Sequence, residues 1–275
     1  TLGGREAGLA AETSKNSSWG IILQPTLPTG WGDLSVALDR FDVKVDNGVS
    51  RAGAANILTL CYDDPAFRSG GGYCKLITRA PGNNALTVNN SYINLSTDVV
   101  RGYDYNIRYT NDVGIGKLRV ELSATEYHSQ AGKVFATDPL TESNGRVGVP
   151  RWSGALDVKY TVKGWTAYYG TEWVGKTSSY EYYQRQATSA ANAALYNPDT
   201  SIYQMRTPSY FLHSLSLSYS DSVSKWKTTV GVRNIADKTP PSISSGYANR
   251  VGNAPLYSGY DYFGRRFFMN VSKSF

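Results

Sequence analysis

The sequence is dominated by a period of two. In WSGALDVKYTV the even positions hold Trp152, Leu156, Val158, Tyr160 and Val162, and the odd ones Ser153, Asp157, Lys159 and Thr161. Successive side chains of an extended chain point to opposite faces, so this segment reads as a strand with one apolar and one wet face. KLRVELSATEY sets Leu118, Val120, Leu122 and Ala124 against Arg119, Glu121, Ser123 and Thr125. RGYDYNIRYT sets Tyr103, Tyr105, Ile107 and Tyr109 against Asp104, Asn106, Arg108 and Thr110. FLHSLSLSYS turns Phe211, Leu215, Leu217 and Tyr219 away from its serines, and WTAYYGTEW turns Trp165, Ala167, Tyr169 and Trp173 away from Thr166, Tyr168 and Glu172. SWGIILQ, DLSVALDRFDVKV and WKTTVGVR alternate more weakly, and RRFFMNVSKSF completes a set of nine strands. QATSAANAALYNPD has the composition of a short helix, and no other stretch sustains a 3.6-residue period. The fold class is all-β.

A soluble antiparallel sheet also alternates, and three further features select a membrane wall. Aromatic residues flank the apolar face, Trp152 with Tyr160 and Trp165 with Trp173, with aliphatic residues between. That is an apolar band between aromatic girdles, backed by a charged and hydroxylic face suited to a lumen. The segments run to about 9–11 residues, the length a tilted strand needs to cross a bilayer. Tight turns at DSVS (221–224), VKG (162–164), DVGIG (112–116) and LPTGWG (27–32) alternate strictly with long connections at about 46–98, 128–150, 176–208 and 236–262. Outer-membrane barrels have short periplasmic turns and long extracellular loops, whereas a soluble sandwich has no reason to sort its loops. The reading is a transmembrane antiparallel up-and-down β-barrel whose last strand runs inward, with the long loops outside.

Other classes find little support. The 28 Lys and Arg give a net charge of +6 but are scattered among acids, which argues against a nucleic-acid surface. Two His and two Met leave little for a His-rich metal site or a Met-lined groove. Cys61 and Cys74, in LCYDDPAFRSGGGYCKL, read as a loop staple, because two thiols without nearby His make a poor zinc set. Two free buried thiols are the alternative. As a disulfide the pair would stabilise by roughly 3 kcal/mol and imply an oxidising compartment. No apolar run approaches the ~20 residues of a membrane helix, and TLGGREAGLAAETSKNSS lacks the basic start and apolar stretch of a signal peptide. His213 and Ser214 are strand neighbours facing opposite ways, so His213 reads as a lipid-side interface residue and not as half of a catalytic pair. His128 reads as the head of a strand beside a loop. Gly70, Gly71 and Gly72 lack the Gly-Lys-Ser/Thr of a phosphate loop. No enzymatic activity, cofactor or metal is expected.

Specific words then point to a family. GVRNIADKTPP (231–241), a Gly- and Tyr-rich stretch and FGRRFFMNVSKSF resemble the C-terminal end of TonB-dependent outer-membrane receptors. LAAETSKNSSWG, LDRFDVKV and YINLSTDVVRGYDY resemble successive approaches and strands of the same family, and a loop with two cysteines recurs in one branch of it. The resemblance spans essentially residues 1–275. It implies a receptor that takes up a scarce nutrient (a siderophore-iron complex, a cobalamin-like compound or an oligosaccharide) with energy coupled from the inner membrane. A passive porin-like channel is the alternative, and a soluble secreted sugar-binding β-protein a third class.

Such transporters have about 22 strands and a plugged lumen. Nine strands and no plug therefore imply the C-terminal part of a longer receptor in the outer membrane of a Gram-negative bacterium. The implied partners are outer-membrane lipid, the plug and remaining strands, the inner-membrane energy-coupling protein, the barrel-assembly machinery and a small-molecule ligand, with no nucleic acid. Asp104, Arg108, Arg119, Glu121, Asp157, Lys159 and Glu172 are expected to face the lumen and plug. Tyr180, Tyr182, Tyr183 and Arg185 in one loop, and Tyr247, Arg250 and Tyr257 in the last, are the candidate ligand contacts, since Tyr and Arg dominate binding hot spots. Phe275 resembles the terminal signature read by the assembly machinery, and shares a face with Val271, Met269 and Phe267. Lys273 departs from that signature, its stem free to lie along the barrel while the ammonium reaches water.

Overall fold

The computed structural model describes residues 9–63, 72–83, 85–133, 139–179, 206–243, 254–255 and 259–274. In chain order the first elements are β1 (Thr13–Leu23), β2 (Asp33–Ser50), helix α1 (Ala54–Asp63), a 3-10 turn (Gly72–Leu76), β3 (Ile77–Arg79) and β4 (Leu86–Val88). There follow β5 (Ile93–Val113), β6 (Gly116–Lys133), β7 (Thr141–Glu142), β8 (Trp152–Val162), β9 (Trp165–Val174) and β10 (Thr177–Ser178). The last are β11 (Arg206–Thr207), β12 (Tyr210–Ser220), β13 (Trp226–Arg233), β14 (Ser242–Ile243), β15 (Ala254–Pro255) and β16 (Arg266–Lys273).

Nine of these strands lie in one sheet in the order β1-β2-β5-β6-β8-β9-β12-β13-β16, with the short β7 beside β6. Each neighbour in that order is the next long strand along the chain, so the sheet is a meander. The ladders from β6 through to β16 are antiparallel. The nine expected strands are therefore present in their expected order. The possible helix QATSAANAALYNPD lies outside the described residues.

The tight turns form where expected. Lys163 and Gly164 join β8 to β9 with φ of 44° and 84°, the positive values that match a two-residue hairpin turn to the twist of its strands. Between β12 and β13 the Asp221 carboxylate accepts the backbone N–H groups of Val223 and Ser224, at 3.1 and 3.2 Å, and the Ser224 hydroxyl. Those bonds, the Ser224 hydroxyl first, hold the Asp221 pKa below the ordinary aspartate value.

Three expectations need correction. β2, β5 and β6 are 18, 21 and 18 residues long, well beyond a bilayer crossing. Polar side chains cross-link their extra length: Asn94 donates to the carbonyls of Ala10 and Asn47, Glu12 accepts the Val49 N–H, and Thr97 donates to Asp46. His128 accordingly sits within β6, not at its head. Helix α1 was not expected either. Its apolar residues Ile57, Leu60 and Cys61 repeat for little more than a turn, too short a run to declare a helical period.

The chain divides into two compact units, Thr1–Ser17, Asp42–Val100 and Gln130–Glu142 in one, Ser18–Phe41, Arg101–Ser129 and Ser143–Phe275 in the other. In the first, Ala52 and Ile57 are buried among Leu60, Tyr73, Leu76, Ile77, Val88 and Ile93. A disulfide joins Cys61 of α1 to Cys74 of the 3-10 turn. The Asn90 side chain accepts the Gly53 N–H at the start of α1, where Gly53 takes a φ of 85°. In the second, Val147, Tyr210, Ile243 and Tyr260 form a small core against Val174 and Leu212.

Candidate functional site

Residues opposed in an antiparallel ladder share a face, so register alone sorts the second unit into two surfaces. Val158 faces Tyr169, Leu217 faces Val230 and Val232 faces Phe267, giving one apolar surface. Aromatic pairs bound it at both ends. Tyr105 stacks on Trp152 at 5.7 Å near the long connections, and Trp165 meets Tyr219 at 4.8 Å near the tight turns. His213 lies on this surface, 2.8 Å from the Tyr169 hydroxyl, and away from Ser214. Lys273 shares it and sets its ammonium 5.2 Å from the Trp226 ring centre.

The opposite surface gathers the charged residues singled out in the sequence. Arg119 lies opposite Lys159, Glu121 opposite Asp157, and Glu172 opposite Ala155. Like charges directly across a ladder repel, and neighbours offset both pairs. Glu121 Oε1 accepts Arg119 at 2.7 Å and Arg108 at 3.1 Å. Asp157 accepts the Tyr168 hydroxyl, and the Lys159 ammonium lies 5.7 Å from the centre of the same ring. Asp104 accepts Thr125 at 2.6 Å, and Asn106 accepts Ser123 at 2.9 Å. The result is a continuous, largely self-satisfied polar wall, able to contact water, a polar polypeptide or a polar solute.

At the long-connection end of that wall a recess of about 630 Å³ opens. It is lined by the small residues Ser153, Ala155 and Ser214, by the charged Glu172, Arg233 and Arg266, and by residues 259–263. The GVRNIADKTPP segment builds its support. Asn234 is fully buried with a φ of 53°, a backbone conformation that Asn tolerates better than most residues. Its side-chain oxygen accepts the Lys238 N–H at 2.7 Å and its amide donates to the Lys238 carbonyl at 2.9 Å. That carbonyl also accepts the Tyr210 hydroxyl at 3.1 Å, and the Tyr210 ring meets Tyr260 edge-on at 5.0 Å. Asp237 reaches across to accept the Arg265 N–H at 2.8 Å. Gly264 has a φ of 68°, and a Cβ there would come 2.9 Å from the Asp237 carboxylate.

All seven expected wall residues therefore lie on one face, and the structure brings Arg108, Arg119 and Glu121 into direct contact. Glu172 alone among the seven borders the recess. Tyr180, Tyr182, Tyr183, Arg185, Tyr247, Arg250, Tyr257 and Phe275 lie outside the described residues. Sequence reading missed Asn234, Asp237, Tyr210, Tyr260 and Asp261 as the supports of the recess. The Asn–x–x–Asp spacing in GVRNIADKTPP was the available signal, because both residue types favour positive φ.

The chain matches the family described as TonB dependent receptor-like, beta-barrel, over residues 2–235. No curated protein sequence matches it. Its fold is similar to that of the ferric enterobactin receptor PfeA of Pseudomonas aeruginosa, with a TM-score of 0.58 and 16% identity, covering 98% of this chain and 32% of that one. The siderophore receptor PirA of Acinetobacter baumannii is similar too, with a TM-score of 0.52 and 16% identity, covering 97% of this chain and 32% of that one. The chain thus spans about a third of the length of the solved structures it matches.

Proposed function

Since the chain belongs to the TonB-dependent receptor β-barrel family, we propose that it forms part of the wall of an outer-membrane receptor that imports a scarce nutrient. Barrels of this family reside in the outer membrane of Gram-negative bacteria. In this reading the apolar surface with its aromatic ends meets lipid, the charged surface lines the lumen and meets the plug, and the long connections face outside. The nutrient binds at the outer mouth, and energy relayed from the inner-membrane coupling protein through the plug moves it inward. The wall performs no covalent chemistry.

One observation carries the reading most directly: a strand meander whose two faces are an aromatic-bounded apolar band and an ion-paired polar wall. Water-filled or plugged barrels need that combination. Among the nutrients open to this class, a siderophore-iron complex is favoured, because one solved neighbour is by name a ferric enterobactin receptor and another a siderophore receptor.

The test is uptake of radiolabelled ferric siderophores by cells relying on the full-length protein, before and after a protonophore collapses the inner-membrane proton gradient. Uptake is expected to cease with the gradient. Uptake that survives, together with persistent ohmic conductance in planar bilayers, would overturn energised import in favour of a passive channel.

A further inference from the structure

Asp261, at the recess, holds an acceptor with no donor among the described residues. The Asp261 side chain is 8% exposed. Its Oδ1 takes the Phe263 N–H at 2.9 Å and the edge of the Arg266 guanidinium at 3.4 Å. Its Oδ2 is buried and has no hydrogen-bond partner among the described residues, and Asp261 is one of the residues lining the recess. A buried carboxylate oxygen without a donor is costly and rare in native folds, and it calls for an occupant.

The surroundings decide what kind of occupant. Glu172, a second carboxylate at the recess, makes no hydrogen bond or ion pair among the described residues. Tyr260, Tyr262 and Phe263 supply aromatic walls, whose faces attract cations. The Phe263 ring already holds the Arg266 guanidinium at 4.6 Å, so this cation is engaged by both Phe263 and Asp261. A buried acceptor, a second acid and aromatic faces together suit a cationic nitrogen group. The remaining cation, Arg233, stands on β13, two strands from Glu172 on β9, which is roughly 10 Å at the usual strand spacing.

We propose that this recess is a binding subsite for a small molecule bearing an ammonium, amidinium or guanidinium group, received by the Asp261 carboxylate with Glu172 as the second anion. Arg233 sets the far edge, so a ligand that also carries an acid group is oriented with that group toward β13. The inference rests on the reading of the polar surface as lumenal, since only then does the recess open to solutes.

The test uses the full-length protein in detergent micelles and benzamidine as the probe, with benzamide as its neutral isostere, by titration calorimetry. Benzamidine is expected to bind at least tenfold more tightly than benzamide. D261N, which keeps an acceptor for the Phe263 N–H, is expected to remove that preference, and E172Q to reduce it about threefold, with both variants retaining the wild-type circular dichroism. Equal binding of the two probes, no benzamidine binding, or a preference that survives in D261N would each overturn the subsite. Labelling of Ser214→Cys by a membrane-impermeant maleimide, measured separately, reports whether the surface is lumenal. A labelled protein that ignores benzamidine sinks the subsite alone, whereas an unlabelled one sinks the lumenal reading and the subsite with it.

Discussion

Asn234 combines two demands that few residues meet. It is fully buried at a φ of 53°, and both ends of its side-chain amide are bonded to the backbone of Lys238. Alanine would lose both bonds, each contributing about 1 kcal/mol, and hold a Cβ in a left-handed conformation at a further 1–2 kcal/mol or so. Glycine would lose the bonds without that conformational penalty. N234A is therefore expected to destabilise the folded protein by about 3 kcal/mol and N234G by less, as measured by urea unfolding in lipid vesicles. Equal losses would show that the backbone conformation contributes nothing.

Among the elements, β13 and β16 show how a glycine shapes a ladder. Gly231 lies opposite Phe268 on the polar surface, and the ring lies where a Cβ of residue 231 would stand; that Cβ would also come within 2.8 Å of the Leu215 carbonyl oxygen. Gly154 stands in the same relation to the Trp173 ring. G231A is expected to cost about 1–3 kcal/mol through overpacking, and F268A in the same chain to recover part of it. A free energy unchanged by G231A would remove the packing argument. These strands were legible in the sequence because alternation is local: Ser216 and Leu217 declare opposite faces without reference to any other segment. The recess was not legible. Tyr210, Ile243 and Tyr260 form its core from three separate stretches, and no local pattern says that they meet. The same holds for α1, whose start is capped from Asn90 and whose end is tied to Cys74. The charged wall falls between these cases. Its face followed from parity, as did the Arg119–Glu121 pair within β6, but only register brings Arg108 of β5 to Glu121.

For the whole molecule the decisive assignment is which surface meets lipid. Val230 and Ser216 lie on opposite faces of neighbouring strands, each away from the strand ends. An arginine on the lipid face near the bilayer midplane costs about 2–4 kcal/mol, whereas one on a solvated face adds little. V230R is therefore expected to lower stability in vesicles by that amount and S216R by less than ~1 kcal/mol. Similar losses at both sites would contradict the two-surface reading. The sorting of short turns and long connections has a further consequence, for the sequence of folding events. Every pairing in the meander joins strands adjacent along the chain, so its kinetic cost is set by the connection it closes. The β1–β2, β5–β6, β8–β9 and β12–β13 hairpins close over the shorter connections and can form in microseconds. The β2–β5, β6–β8, β9–β12 and β13–β16 pairings must await the capture of longer loops, so the wall is expected to assemble from preformed hairpins joined in slower steps.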